Sequence, residues 1–222
     1  MIIQPFLVGL SCLFLGSVSS CSTNASGLPV LTKKIGNANT KKKSSLPSNS
    51  SSSILPGDPS ERTLAKANKL SKDKHGMPTY KKDSTRTRYV RTTAYSHQEN
   101  EPGAPGRKNA AGGILKYGSV RSAAADWSVY PLGTKFRVKG QSHTYVIDDY
   151  GSALVGTNTI DIYKPTLKSM NYWGTRKTEI TVIQWGSYEN SLKLLKGRTS
   201  YAHCRKMYYG CKKKLSSSLA SN

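Results

Sequence analysis

The sequence predicts an all-β domain, a small closed barrel, between a basic N-terminal linker and a basic C-terminal extension. Short runs with strand-like alternation recur over residues 88–186, and glycine or proline separates them. On both sides the composition shifts to serine and lysine with few strand-forming residues. The 222 residues allow one domain of ordinary size plus such flanking segments.

Residues 1–20 are predicted to be an export signal. The run FLVGLSCLFLGSVSSC is apolar, too short to span a membrane comfortably, and ends in small residues before Cys21. VSSC resembles the bacterial lipobox, whose cysteine becomes the lipidated first residue, although MIIQPF contains no Lys or Arg. We expect a lipoprotein anchored at Cys21 on the periplasmic side of the cell envelope, in the inner or outer membrane. The alternative is cleavage near Ser20 and a soluble secreted protein.

Residues 21–87 are predicted to be a disordered basic linker. They hold 13 basic and 4 acidic residues and almost no aromatic ones, too little apolar surface to offset the entropy of ordering. One exception is DPSERTLAKANKL, in which Asp58 would cap a transient helix, Pro59 would open it and Glu61 would complete a capping box.

The barrel is predicted over residues 88–186. Its strand-like runs are RYVRTTAYS, TKFRVKG, HTYVIDD, NTIDIY and TEITVIQW. YPLGTKF is typical of a turn that leads into a strand, and EPGAPGRKNAAGG of a long loop. One helix is expected near PTLKSMNYWG.

Residues 187–222 form the C-terminal extension, with 8 basic residues and 1 acidic residue. SYENSLKLLKG fits a short amphipathic helix, and KKKLSSSLASN is expected to be a disordered basic end. Because an exported protein meets oxidising conditions, we expect a disulfide between Cys204 and Cys211. Metal binding by this pair is less favoured, since no second pair of ligands follows at a useful spacing.

The formal net charge of +22 favours association with an anionic polymer: nucleic acid, acidic lipid or a wall that bears carboxylates. The export signal and the lack of interleaved basic and aromatic residues disfavour nucleic acid. Peptidoglycan stems carry free carboxylates, so the basic segments would hold the protein near the wall, an attraction that salt weakens.

Three aspartates stand out: Asp126 in AAADWSVYPLGT, Asp149 in DDYGSALVG and Asp161 in NTIDIY. The ordered motifs TAY, A-D-x-x-x-x-P-L-G-T, D-x-G-x-A-x-x-G and I-D-I-Y resemble the three-aspartate (3D) domain. That domain is shared with the membrane-bound lytic transglycosylase A family and with wall-remodelling factors of spore formers. The resemblance covers Thr92 to Trp185.

The resemblance implies a six-stranded double-psi β-barrel with one or two short helices and an open groove for a peptidoglycan glycan strand. It implies non-hydrolytic cleavage of the MurNAc–GlcNAc β-1,4 bond, ending in a 1,6-anhydro sugar and needing no cofactor. Asp161 matches the family's acid/base, and Asp149 and Asp126 match its other two aspartates. Gly151 and Gly156 match its turn glycines, Gly151 is expected to contribute to substrate binding, and a monomer is expected.

The residues suggest how such chemistry would work. Glycoside cleavage needs an acid, and an apolar setting between Ile160 and Ile162 would keep Asp161 protonated near neutral pH. Asp149, in a more solvated turn, would stay ionised. The alternatives are that Asp149 only shapes its turn, and that Asp126 braces its loop.

Aromatic side chains are candidates for stacking on sugars, with burial in the core as the alternative for each. These candidates are Tyr95, Trp127, Tyr150, Tyr172 and Trp173. His75, His97, His143 and His203 lack metal-ligand spacing, so no metal is expected. Two other functions compete: a non-catalytic, expansin-like wall-binding module, and a metal-assisted glycosidase or amidase using His143 and the aspartates.

Overall fold

The computed structural model describes residues 57–80, 85–99 and 106–219. The predicted signal, the lipidation site Cys21 and the first part of the predicted linker lie outside these described residues. Within the described ranges, no helix combines the length and the apolar character needed to cross a bilayer.

Within the part of the chain that the structure describes, six strands form one sheet, which confirms a largely β fold. They are β1 (Thr87–Tyr95), β2 (Val120–Ala124), β3 (Lys135–Val138), β4 (Thr144–Asp149), β5 (Thr159–Tyr163) and β6 (Arg176–Gln184). The order is β1–β5–β2–β4–β3–β6, and β6 also pairs with β1, so the sheet closes on itself. The pairs β1–β5 and β2–β4 are parallel, and the other four are antiparallel.

Strand β2 is the one strand that the strand-like runs did not include. Its sequence, VRSAA, contains a single β-branched residue and no aromatic one, so its composition gives little strand signal. It is a strand because it pairs with β4 on one side and with β5 on the other. Pairing of this kind depends on distant segments and is not visible in the local sequence.

The barrel interior is filled by apolar side chains that alternate with outward-facing residues along each strand. The fully buried ones include Val90, Ile147, Ile160, Ile162 and Ile180. Helix α2 (Leu167–Trp173) lies where the sequence predicts a helix, and it begins at a capping box formed by Thr166 and Ser169.

Residues 57–80 correct the prediction of a disordered linker, because they pack on the barrel. Helix α1 (Glu61–Asn68) begins after the N-cap Ser60, two residues later than the predicted cap Asp58. The backbone N–H and the hydroxyl of Ser60 both donate to Oε2 of Glu179, at 2.9 and 2.7 Å. Further along, Nδ2 of Asn158 donates to the carbonyl of Pro78 at 2.9 Å. The order comes from partners on the barrel, which composition does not reveal.

The C-terminal extension is helical rather than partly disordered. Helix α3 (Tyr188–Lys196) matches the predicted amphipathic helix, and α4 (Ala202–Leu219) continues through the lysine run that was expected to be disordered. The predicted disulfide is wrong, and Cys204 and Cys211 are buried free thiols. They lie seven residues apart on α4, so their Cα atoms are about 10.5 Å apart along the axis. A disulfide requires roughly 4.4–6.8 Å.

Candidate functional site

Two of the three predicted aspartates lie in one row across the sheet. The row crosses β1, β5, β2 and β4, and its register partners are Thr93, Asp161, Ala124 and Asp149. Neighbouring strands are about 4.8 Å apart, so the Cα atoms of Asp161 and Asp149 are separated by about 10 Å. The residue between them, Ala124, carries only a methyl group. The barrel therefore brings Asp161 and Asp149 near each other with little side chain in between.

A β-bulge decides which of two consecutive aspartates joins this row. Ala123 pairs with Ile147 and Ala124 pairs with Asp149, so Asp148 is the extra residue of the bulge. A bulge inserts one residue and re-aims the strand after it. Without it, Asp148 would stand opposite Ala124 in place of Asp149.

Asp161 lies between the fully buried Ile160 and Ile162, so strand alternation turns its side chain to the outer face of the sheet. Oγ1 of Thr93 donates to Oδ1 of Asp161 at 2.8 Å. No other described residue donates a hydrogen bond to this carboxyl group. Asp161 thus keeps one oxygen that no described residue occupies.

The surroundings of Asp161 favour its protonated form. Burial raises its pKa to about 6, against the lowering effects of the Thr93 hydrogen bond and of Arg91. The negative charges of Glu99 and Asp149 act in the same direction as burial. The flanking isoleucines predicted this direction.

Asp149 is held more tightly than Asp161. The backbone N–H groups of Ala110 and Tyr150 donate to Oδ1 at 3.1 and 2.9 Å, and the hydroxyl of Tyr95 donates to Oδ2 at 3.1 Å. Burial nevertheless raises the pKa of Asp149. Asp149 is thus partly buried, because the loop around Ala110 packs against it, and its ionised state stays a prediction.

Asp126 lies outside the row, in the loop after β2, and only 2% of it is exposed. Oδ1 accepts from the N–H and the hydroxyl of Ser128 at 2.8 and 2.6 Å, and Oδ2 accepts from the N–H of Gly156 at 2.7 Å. Of the two interpretations left open by the sequence, this geometry supports bracing of the loop.

The neighbouring Asp148 also has a structural environment. Its Oδ2 lies 2.8 Å from Nζ of Lys116 and accepts from the hydroxyl of Ser122 at 2.8 Å. Asp148 is buried, with 5% of its surface exposed, and its hydrogen bond with Ser122 links β4 to β2.

Two of the predicted sugar-stacking aromatics adjoin the row. Tyr95 is half-buried and hydrogen-bonded to Asp149, and its ring lies 5.6 Å from that of Tyr163. Tyr150 follows Asp149 directly, and its hydroxyl accepts from Arg198 at 3.3 Å. Their contact with a substrate stays a prediction.

The two predicted tryptophans are core residues, which argues against their stacking on a sugar. Trp127 is fully buried, and its Nε1 donates to the carbonyl of Asp149 at 2.9 Å. Trp173 is 6% exposed, whereas the adjacent Tyr172 is 84% exposed. Large aromatic rings fill small cores efficiently, and Trp127 and Trp173 serve that purpose in this barrel.

The two predicted turn glycines differ in their conformational need. Gly156 has φ +81°, which favours glycine, and its N–H is the donor to Asp126. Gly151 has φ −133°, an extended conformation open to any residue. A role for Gly151 in substrate approach stays a prediction.

Sequence reasoning missed Glu99, whose charge raises the pKa of Asp161. Glu99 lies in a short 3₁₀ turn after β1, 62 positions before Asp161 in the sequence, so no spacing signal links them. Among the residues described, no group of three His, Cys, Asp or Glu side chains is arranged to hold a metal ion.

The described residues thus define a closed six-stranded β-domain that presents two carboxyl groups in one row across its sheet. A family model described as the 3D domain matches residues 121–185. The match runs from β2 to the residue after β6 and contains Asp126, Asp149 and Asp161. No curated protein matches the chain.

Proposed function

We propose that this protein is a peptidoglycan lytic transglycosylase built on a double-psi β-barrel, with Asp161 as its acid/base. The observation that carries the proposal is the state of Asp161: a carboxyl group with pKa about 6 that has, among the described residues, one hydrogen-bond donor and one oxygen left unoccupied. It lies within the segment that matches the 3D domain, a family linked to peptidoglycan-associated proteins.

In the first step Asp161 acts as the acid. Its proton passes to the glycosidic oxygen between MurNAc and GlcNAc, and the bond from that oxygen to the anomeric carbon breaks as an oxocarbenium-like centre develops. A pKa near 6 suits this role, because the group is then protonated in a useful fraction of molecules and still donates readily.

In the second step the same carboxylate acts as the base. The C6 hydroxyl of the MurNAc unit attacks the anomeric carbon, and its proton returns to Asp161. The products are a 1,6-anhydro sugar and a free GlcNAc hydroxyl end, and Asp161 regains its starting state. No positioned water and no second nucleophile are required.

Asp149 supports the reaction through its charge. At about 10 Å between Cα atoms it is close enough to raise the pKa of Asp161, and its ionised form would favour the positive charge of the transition state. The hydroxyl of Tyr95 fixes the direction of its Oδ2. Asp149 is thus assigned an electrostatic role and Asp126 a bracing role.

We also propose that the protein works at the cell envelope, attached by lipid at Cys21. The lipobox-like VSSC and the basic residues that follow support this placement. Labelling with a radioactive fatty acid would incorporate label in the wild type and not in Cys21→Ser. Equal labelling of both would refute the anchor.

The function is tested by incubating the full chain with purified sacculi and analysing the released material by mass spectrometry. We expect anhydro-muropeptides from the wild type and none from Asp161→Asn. Asp148→Asn is the matched control, since it removes the adjacent carboxylate outside the row and should release the same products. Retention of the wild type on sacculi without released fragments would instead establish the non-catalytic binding module.

A further inference from the structure

One end of the barrel carries three cationic side chains that pair with no described carboxylate. They are Arg121 in β2, Lys164 directly after β5 and Arg176 at the start of β6. Each lies two residues from a core-facing position, namely Ala123, Ile162 and Thr178. Side chains alternate along a strand with period two, so these three cationic side chains lie on the core-facing side of their strands. All three are at the same end of the barrel.

Two of these cations oppose each other across the sheet. Ala123 pairs with Ile162 in the antiparallel β2–β5 ladder. Two residues before Ala123 is Arg121 and two residues after Ile162 is Lys164, so the same register places Arg121 opposite Lys164. Like charges directly opposite in a sheet are destabilising. Lys164 is only 7% exposed, and its burial together with Arg121 and Arg176 lowers its pKa to about 8.

Aromatic rings separate the cations, and backbone carbonyls satisfy only part of the guanidinium donors. Arg176 donates through Nε to the carbonyl of Trp173 at 2.8 Å and through Nη2 to that of Tyr172 at 3.0 Å, and Nε of Arg121 donates to the carbonyl of Gly118 at 3.4 Å. Nζ of Lys164 lies 4.4 Å from the ring centre of Trp173 and 5.8 Å from that of Tyr117. Arg121 lies 4.1 Å from Tyr117, and Arg176 lies 4.8 Å from Trp173. Ring faces attract cations but accept no conventional hydrogen bond. The ammonium group has three N–H donors, and none meets an acceptor among the described residues.

We propose that Arg121, Lys164 and Arg176 form a binding site for a phosphate group at this end of the barrel. Guanidinium groups match the geometry of phosphate oxygens. A phosphate supplies the negative charge that this cluster lacks, together with acceptors for the Lys164 ammonium and for the guanidinium N–H groups that the backbone carbonyls leave over. A single carboxylate would offer one charge against three cations. The site lies on the opposite face of β5 from Asp161 and goes beyond the proposed reaction.

The test is titration of the full chain with inorganic phosphate at pH 7, with chloride holding the ionic strength constant. Isothermal calorimetry gives the affinity, and thermal unfolding follows the stabilisation that binding produces. Lys164→Met should weaken binding at least about tenfold, since charge-assisted hydrogen bonds to phosphate are lost. Lys168→Met, which removes an exposed charge on the adjacent α2, should bind like the wild type.

Folding does not confound this comparison. Removing a buried ammonium beside two guanidinium groups should raise the thermal midpoint of Lys164→Met in the absence of phosphate. A small phosphodiester that binds as well as inorganic phosphate would identify a phosphodiester polymer as the source, and binding of inorganic phosphate alone would identify a terminal or free phosphate.

Two results would overturn the proposal. One is an equal response of the wild type and Lys164→Met to phosphate, the mark of a general salt effect. The other is acetate binding as tightly as phosphate. These experiments measure phosphate binding and do not measure the release of anhydro-muropeptides. Failure of the phosphate site would therefore leave the proposed transglycosylase activity untouched, and the reverse also holds.

Discussion

Asp161 differs from Asp126 and Asp149 in how much of its bonding capacity the protein uses. Asp126 and Asp149 have both oxygens occupied. Asp148 has an ion pair and a hydroxyl donor on Oδ2, while its Oδ1 is buried without a hydrogen-bond partner among the described residues. Asp161 accepts a single hydrogen bond from Thr93. A buried carboxylate that is fully bonded or ion-paired stabilises the fold, whereas one that has neither an ion pair nor a full set of donors holds its proton and has an oxygen available for other chemistry.

The same comparison shows that sequence neighbourhood is a poor guide to role. Asp148 and Asp149 are consecutive, yet the bulge opposite Ala123 and Ala124 places Asp149 in the row and leaves Asp148 outside it. The four predictions below test the division between bracing and chemistry, and they begin with the largest effect.

The strongest test is the relative rate of two asparagine variants. Asp161→Asn should lower the release of anhydro-muropeptides by a factor on the order of 10²–10⁴, the usual contribution of a general acid. Asp148→Asn should stay within about threefold of the wild type per folded molecule, because Asp148 is outside the row. Equal losses in the two variants, measured by chromatography of digests, would abolish the distinction.

Asp126→Ala should act on stability. It leaves the N–H groups of Gly156 and Ser128 without acceptors, at about 1–3 kcal/mol each, so we expect a loss of about 3 kcal/mol in urea unfolding. The folded fraction should retain its specific activity. If Asp126→Ala has an unchanged free energy of unfolding and no activity, Asp126 takes part in the reaction and does not merely brace its loop.

Asp161 should make stability depend on pH in a direction opposite to that of a bracing carboxylate. Its pKa rises from the ordinary 3.8 to about 6 on folding, so the native state binds more protons over this interval and stability falls as pH rises through it. Asp161→Asn should therefore have a thermal midpoint a few degrees above the wild type at pH 7, since about 1 kcal/mol corresponds to roughly 2–4 °C. The difference should vanish below about pH 4, a value set by the ordinary carboxyl pKa.

If the thermal midpoints of Asp161→Asn and the wild type coincide at pH 7 as well as below about pH 4, folding does not raise the pKa of Asp161. The proposed acid would then lack its proton at neutral pH. Activity of the wild type should likewise decline as pH rises above about 6, where the acid form is lost.

The smallest effect is expected for Lys116→Ala, which removes the partner of Asp148. Lys116 is 51% exposed, so the ion pair is partly screened and its loss should cost about 1 kcal/mol. The loss should shrink at high salt. A loss of several kcal/mol with no salt dependence would mean that Asp148 depends on Lys116 as a fully buried charge does.

Much of the barrel was predictable because strand alternation is local. The runs around Thr93, Val146 and Ile160 each carry their own period-two pattern, and the structure has strands there. The order of the aspartate motifs selected Asp161, Asp149 and Asp126 alike, and it did not distinguish Asp126, which braces its loop, from the two aspartates of the row. Strand β2 was not predictable, because small residues such as Ala123 become a strand only through pairing on both sides.

The errors share one cause, which is contact between segments far apart in the chain. Ser60 is ordered by Glu179, and the lysine run of the C-terminus continues a helix anchored by Cys211 and Met207 against Trp127. The disulfide failed because cysteine spacing does not reveal that both residues lie on one straight helix.

By itself the sequence determined the β class, the pattern of alternating strands and the presence of scarce acids within them, because each is written in neighbouring residues. Only the tertiary structure decided which acids meet, which are fully bonded and which cations gather at one end of the barrel. Register, bulges and burial depend on strands brought together by closure of the sheet, and the pKa of Asp161 follows from that environment.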